Sequence, residues 1–209
     1  MYKHIIFDVD GTLLDTRFSI FQSLKDTLLE LTGQKIEPDE KIVVGTTGEY
    51  ALEKYNVENI PEAIKIWNKK KLDLKHTIKL FDGTEQMLES LYNSGFTMGI
   101  VTSQTHSEMK DTFPFEKVGK YFSTIICADD TSKHKPDPAP LLKYLEKSGA
   151  TKENSIFIGD SVHDKNCAKA AGVDFAFLHK TETPDPDVKY FFGAPSDVTN
   201  LFAAAESRR

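Results

Sequence analysis

The stretch that decides the fold is His4–Thr16, HIIFDVDGTLLDT. Ile5, Ile6 and Phe7 form a short apolar run of β-favouring side chains, the pattern of a strand buried on both faces of a parallel sheet. Asp8 and Asp10 stand at its carboxyl end. Side chains two apart in an extended chain point the same way, so these two carboxylates share a face while Val9 turns toward the core. Carboxylates held together repel, and one takes up a proton unless positive charge offsets the pair. A hard cation would settle that conflict, and Gly11 supplies the freedom a chain needs when it leaves a strand beside a ligand. A solvated acidic loop explains the same residues if the stretch is taken alone, so the rest of the chain has to decide.

Working outward, RFSIFQSLKDTLLELTG carries Ile20, Phe21, Leu24, Leu28 and Leu31 at helical spacing and is closed by Gly33. TGEYALEKYN and PEAIKIWNKKKLDLKH read as two further helices, the second with Pro61 in its first turn. No strand pattern appears between Arg17 and Lys79. The pattern then alternates: helix DGTEQMLESLYNSG, strand FTMGIVTS, helix SEMKDTF, strand STIICADD, helix PAPLLKYLEKSG, strand NSIFIGDS, helix DKNCAKAAG, strand VDFAFL, and a closing helix around SDVTNLFAAAE. Such alternation predicts an α/β fold with a doubly wound parallel sheet. A helical insertion at a strand's carboxyl end would stand over the place where such sheets bind ligands. The expected organisation is therefore a core of residues 1–16 and 80–209 with a helical cap of residues 17–79.

Composition narrows the classes. A chain of 209 residues with 39% hydrophobic and 28% charged side chains is globular and long enough to bury a substantial core. No stretch approaches the roughly 18 apolar residues of a membrane span, and no basic start precedes an apolar segment, so a cytoplasmic location is expected. The net charge of −6 argues against a nucleic-acid partner. Cys127 and Cys167 lie far apart without a CxxC, which points to small buried hydrophobes rather than a disulfide or zinc site. Lys69–Lys71 reads as a solvated helix face. The six histidines have no ligand spacing, and His134 and His163 read as solvated loop residues. The expected assembly is a monomer or weak homodimer.

Other strand ends offer polar groups. GIVTSQ ends on Thr102 and Ser103, whose hydroxyls and following N–H groups suit an anion. SKHKPDPAP places Lys135 just before a proline-started helix, where a phosphate is a natural guest. IFIGDSVHD repeats the grammar of the opening stretch: an apolar strand runs through Gly159 to Asp160, with Asp164 on the first turn of a helix. Asp160 could complete an oxygen-rich site with Asp8 and Asp10, and Asp164 could ligate through water or orient its neighbours. A helix N-cap role for Asp160 or Ser161 is compatible with that reading.

The combination of FDVDGT, VTS, a lysine before a proline and GDSxxD, in that order, resembles the haloacid dehalogenase (HAD) superfamily, in particular its phosphoglycolate phosphatase-like branch. The resemblance covers essentially the whole chain. It implies a Rossmann-like core with a helical cap and a Mg2+-dependent phosphatase acting on a small phosphorylated metabolite through an aspartyl-phosphate. Carried over by position, Asp8 becomes the nucleophile and Asp10 the general acid/base. Thr102 and Lys135, with Ser103 beside them, become phosphate ligands. Asp8, Asp10 through its backbone carbonyl, Asp160 and Asp164 form the metal set. Phosphomutases of the β-phosphoglucomutase type share such a core and remain the alternative, whereas 2-haloacid dehalogenases dispense with Asp10 and Asp160. A phospho-accepting signalling receiver is a further class, disfavoured by the cap and by the pairing of Asp8 with Asp10. Ser103 stands where many relatives have asparagine, and FLHKTET lacks a tryptophan-glycine common there. Arg17, the one arginine outside the C-terminal pair, is the candidate for a clamp on a substrate carboxylate. Gly45, Thr46 and Thr47 lie where relatives place a substrate-facing loop.

Overall fold

The computed structural model describes residues 1–179, 185 and 187–206, with side chains described as far as Phe202. The chain runs β1 (His4–Phe7), β2 (Leu14–Asp15), α1 (Arg17–Thr32), α2 (Glu40–Val43), α3 (Gly48–Lys54), α4 (Ile60–Asp73) and β3 (Lys79–Leu80). It continues α5 (Thr84–Asn93), β4 (Thr97–Val101), α6 (His106–Thr112), α7 (Phe115–Val118), β5 (Phe122–Ile126), α8 (Ala139–Ser148), β6 (Ser155–Gly159), α9 (Val162–Ala171), β7 (Asp174–Leu178), β8 (Tyr190–Phe192) and α10 (Pro195–Glu206).

Six strands form one sheet in the order β5-β4-β1-β6-β7-β8, every adjacent pair parallel. The period-two alternation of a strand explains how β1 serves both faces. Ile5 and Phe7 enter one apolar cluster with Ile156 and Ile158 of β6, while Ile6 and Phe157 enter the cluster on the opposite face. All are fully buried, and each such side chain contributes roughly 1.5–3 kcal/mol relative to an exposed one. The chain leaves β1 for β4 and β5 on one side and returns to β6 on the other. The carboxyl ends of β1 and β6 therefore flank the point where strand order reverses, the crevice in which doubly wound sheets bind ligands.

Helices α1–α4 follow β1 as an insert with an apolar cluster of its own, built on Leu24, Leu28, Val43, Leu52 and Trp67. The indole Nε1 of Trp67 donates to Ser23 Oγ at 2.8 Å, so the ring's one polar atom is satisfied inside that cluster. The two ends of the insert are joined by the antiparallel ribbon of β2 and β3, with Leu14 opposite Leu80 and Asp15 opposite Lys79. The sequence reading did not anticipate this ribbon, nor α2, α7 and β8. Elements of two to four residues are too short to display a period, and β2 and β3 exist because the insert returns its ends to one place. Among the described residues no helix is long and apolar enough to cross a membrane.

Candidate active site

The β1–β6 pairing continues one residue past β1, because Asp8 N–H donates to the Ile158 carbonyl at 2.9 Å. The chain then turns tightly, the Val9 carbonyl accepting the N–H groups of Thr12, Leu13 and Leu14 at 3.2, 2.9 and 2.9 Å. Gly11 is required in this turn twice over. Its φ is +79°, and a Cβ there would lie 2.2 Å from Asp160 Oδ2, so only glycine lets the two strand ends approach.

Beneath this turn lies a buried cluster. Asp8, Lys135 and Asp164 are 2%, 5% and 0% exposed. The Lys135 ammonium donates to Asp8 Oδ1 and Asp164 Oδ1, both at 2.6 Å. Asp164 Oδ2 accepts from the N–H and hydroxyl of Ser161, which caps α9. Asp8 Oδ2 is buried without a hydrogen-bond partner. Burial would by itself lower Lys135, but the carboxylates of Asp164 and Asp8 outweigh it and hold the ammonium above its ordinary value. Burial pushes the Asp8 carboxyl up to about 7; Asp164 and Asp10 add to the rise and Lys135 opposes it.

Oxygens of Asp8, Asp160 and Asp164 all lie within 4.8 Å of one another. Three hard carboxylate donors face a single ammonium, and one buried oxygen of Asp8 has no donor. This set fits a small divalent cation, which takes oxygen ligands and would relieve the excess negative charge. In a second grouping, His106, Cys127 and Asp129, the His106 backbone N–H donates to the Asp129 carboxylate and the His106 Nε2 pairs with Asp130. Burial, with Asp129 and Asp130, pushes the Cys127 thiol up to about 12. Cys167 is likewise buried and pushed up to about 12, and both cysteines are free, as expected of small buried hydrophobes.

Asp10 stands apart from the three-carboxylate cluster. Both its oxygens accept from Gln104 Nε2, at 2.9 and 2.8 Å, and Gln104 is fixed in turn by Thr112 Oγ1 donating to its Oε1 at 3.0 Å. Burial raises the Asp10 carboxyl, against Gln104, Lys71 and Thr16, which favour its ionised form. Thr102 is buried, its Oγ1 accepting the Gln104 N–H at 3.2 Å. Ser103 Oγ donates to the Gly45 carbonyl at 2.9 Å and thereby ties the end of β4 to the insert.

A cavity of about 360 Å3 separates the strand ends from the insert. Asp8, Asp10 and Asp160 form its floor, and Arg17, Thr46 and Trp67 belong to its upper wall. The Thr46 hydroxyl donates to the Ile42 and Val43 carbonyls, and Arg17 is ion-paired with Glu40. Lys71 corrects the reading of Lys69–Lys71 as a solvated face: its side chain is 14% exposed and lines the cavity, and its ammonium pairs with Glu108 at 2.8 Å. The signal was present, since Lys71 continues the i, i+4 row of buried Ala63 and Trp67. His163 is half-buried rather than solvated, its Nε2 3.4 Å from the Lys41 carbonyl of the insert. Gln104 and Glu108 were also missed: Gln104 stands inside no recognisable pattern, and Glu108 closes a T-x-x-E capping box with Thr105, which marks the start of α6 rather than a site. Of FLHKTET, the residues after His179 lie outside the described ones, as does the C-terminal arginine pair.

A doubly wound sheet with paired aspartates and a lysine at its switch point, roofed by helices, is the architecture of an α/β enzyme. The chain belongs to the haloacid dehalogenase-like hydrolases, matching that family over residues 5–178. It is 30% identical over 210 residues to a Clostridium perfringens protein assigned as the pyrophosphatase PpaX, covering 96% of this chain and 97% of that one. It is 29% identical over 205 residues to the phosphoglycolate phosphatase of Aquifex aeolicus, covering 94% and 95%. The crystal structure of a Lactobacillus plantarum protein assigned as a phosphoglycolate phosphatase superposes with a TM-score of 0.86 at 30% identity, covering 97% of this chain and all of that one. The chain is thus a HAD-family phosphatase.

Proposed function

We propose that the protein hydrolyses a small phosphate monoester in two steps with Mg2+ as cofactor, residues 17–79 acting as a cap over the core of 1–16 and 80–209. The observation that carries this reading is the division of labour between two aspartates on one strand end. Asp8 is clamped by Lys135 and sits among carboxylates that fit a cation, whereas Asp10 is turned away onto Gln104.

In the first step a carboxylate oxygen of Asp8 attacks phosphorus, and the bond to the ester oxygen breaks. The departing alkoxide takes a proton from Asp10, so the leaving group exits as an alcohol. In the second step Asp10 accepts a proton from water as it attacks the acyl phosphate, which releases phosphate and restores Asp8. Raised proton affinity suits Asp10 to carrying a proton between these steps. Asp8, Asp160 and Asp164, with the Asp10 carbonyl, would hold Mg2+, which supplies positive charge to the phosphoryl oxygens. Lys135 adds a fixed charge. Thr102 keeps its own hydroxyl proton for a phosphoryl oxygen, and Ser103, whose hydroxyl proton goes to Gly45, contributes its backbone N–H.

The test is phosphate release from a panel of esters with Mg2+, Ca2+ or chelator. The relatives' names make pyrophosphate and 2-phosphoglycolate early members of that panel. Activity with Mg2+, little with Ca2+ and none in chelator is expected, because calcium favours more ligands and looser geometry. Full activity in chelator would remove the metal from the reading. Isomerised ester without free phosphate would favour the mutase.

A further inference from the structure

The proposed phosphatase reaction leaves open what the phosphoryl group departs from, and the cavity above Asp10 has a definite chemical character. Its volume of about 360 Å3 falls in the range of sites for organic ligands, roughly 300–1,000 Å3. Its upper wall is largely apolar: Ile20 and Phe21 from α1, Val43 from α2, and Trp67 from α4. Val43 and Trp67 belong to the insert's own core, so this wall is packed from behind by the insert.

Charge on the same wall is balanced against an anion. Among the described lining residues the cations are Arg17 and Lys71, and each already faces a carboxylate of the cavity, Glu40 and Glu108 respectively. Glu108 cannot turn aside to release Lys71, because its Oε2 is held by the N–H and hydroxyl of Thr105 at 2.9 and 3.0 Å. Asp15 contributes a third carboxylate. Burial lowers the His179 imidazole, so it adds no compensating charge near neutrality. A second anionic group entering here would meet two ion pairs already satisfied and one further carboxylate, Asp15, which penalises it relative to an uncharged group.

We infer that the substrate is the phosphate monoester of an uncharged organic alcohol with an apolar face, discriminated against anionic leaving groups by the Arg17–Glu40 and Lys71–Glu108 pairs. The inference rests on the phosphatase reading. An apolar or ring face of the alcohol packs on Phe21 and Trp67, and the paired charges offer hydrogen bonds to its hydroxyls without demanding a countercharge.

Matched esters test this directly. Benzyl phosphate and 4-carboxybenzyl phosphate share a leaving-group frame and differ in one charge, with 4-nitrophenyl phosphate as a common reference. With Mg2+, benzyl phosphate should exceed 4-carboxybenzyl phosphate in kcat/KM by about tenfold or more, and pyrophosphate and 2-phosphoglycolate should fall below it. Glu108→Gln keeps the side chain's shape and its acceptor for Thr105 while uncovering the Lys71 charge. Glu40→Gln does the same for Arg17 at an exposed position. Each should lower the benzyl to carboxybenzyl preference by about threefold or more, a ratio that a purely structural role would not move. Equal or better turnover of the carboxylated ester by the wild type, or a preference unmoved in both variants, overturns the inference while leaving the phosphatase intact. No hydrolysis of any of these compounds overturns the phosphatase reading and this one with it.

Discussion

The floor of the cavity and its roof are built from the same kinds of side chain held in opposite ways. At and beneath the floor, Asp8, Lys135 and Asp164 are almost wholly buried, with both carboxylates bonded to Lys135. In the roof, the Arg17–Glu40 pair leaves its side chains 61% and 58% exposed. Removing one member of a buried pair strands a charge and costs about 3–5 kcal/mol, whereas an exposed pair is worth about 0–1 kcal/mol. On the proposed reading the floor is a preorganised reaction site, whereas the exposed Arg17–Glu40 pair adds little to the stability of the roof. We propose that chemistry belongs to the floor and selection to the roof.

The sharpest way to break this contrast is at Asp8. Asp8→Asn keeps the shape and, through Asp164, one partner for Lys135, yet removes the nucleophile. kcat should fall by about 10⁴-fold or more, with near-UV circular dichroism unchanged. Residual turnover near wild type would place the reacting group elsewhere.

Lys135→Met should come next, with two losses at once. Phosphate-release assays should show kcat/KM lower by about 10²–10³-fold, as expected when a fixed charge near a developing transition state is lost. Denaturant titration should show a loss of about 3 kcal/mol, since Asp8 and Asp164 are left buried without their cation. A stable, active variant would mean the floor is not held as described.

Gln104→Leu probes the part of the floor that sequence motifs did not mark. Asp10 loses both hydrogen bonds from Nε2, and kcat should fall about tenfold while KM changes little, because the proton carrier loses its aim rather than the substrate its site. A change confined to KM would assign Gln104 to binding instead.

The smallest effect concerns the tie between roof and floor made by Lys71 and Glu108. Burial would raise Glu108, but Lys71 and Thr105 outweigh it and hold the carboxyl below its ordinary value of 4.5. A depressed carboxyl stabilises the fold above its unfolded value, and that contribution is lost as pH falls through the lower folded value. Thermal melts of wild type and Lys71→Met should differ by about 1 kcal/mol at pH 7 and converge in acid below pH 4.5. A difference that persists unchanged in strong acid would show that packing of the Lys71 stem, not the ion pair, makes the contact.

How much of this was legible beforehand follows from how each residue acts. Asp8 announces itself because an apolar strand run ends on it, and Asp160 because a second run ends the same way; the alternation that put Asp10 on the face of Asp8 fails, since β1 ends at Phe7 and Asp10 turns onto Gln104. Gly11 was legible as a backbone need, although only the fold shows that its missing Cβ makes room for Asp160. Lys71 was misread because three lysines in a row look solvated, although it alone of the three continues the inward row of Ala63 and Trp67; the partner it meets there, Glu108, comes from the docking of α4 over α6. Gln104 had no signature at all: its role comes from standing across the crevice from Asp10, ninety-four residues away in the chain.

The sequence by itself determined the layered α/β architecture, the helical insertion after the first strand, the acidic residues that follow β1 and β6, and the lysine ahead of α8. These are consequences of local chemistry, since hydrophobic period, strand alternation and helix punctuation act within a few residues. The tertiary structure alone decided which of those groups touch. It set Lys135 between Asp8 and Asp164, turned Asp10 onto Gln104, bound the roof's cations to Glu40 and Glu108, and closed the insert with a two-residue ribbon. Each of these is a contact between segments brought together by sheet order and packing, and no local pattern encodes the distance between two chains of atoms that meet only when the core has formed.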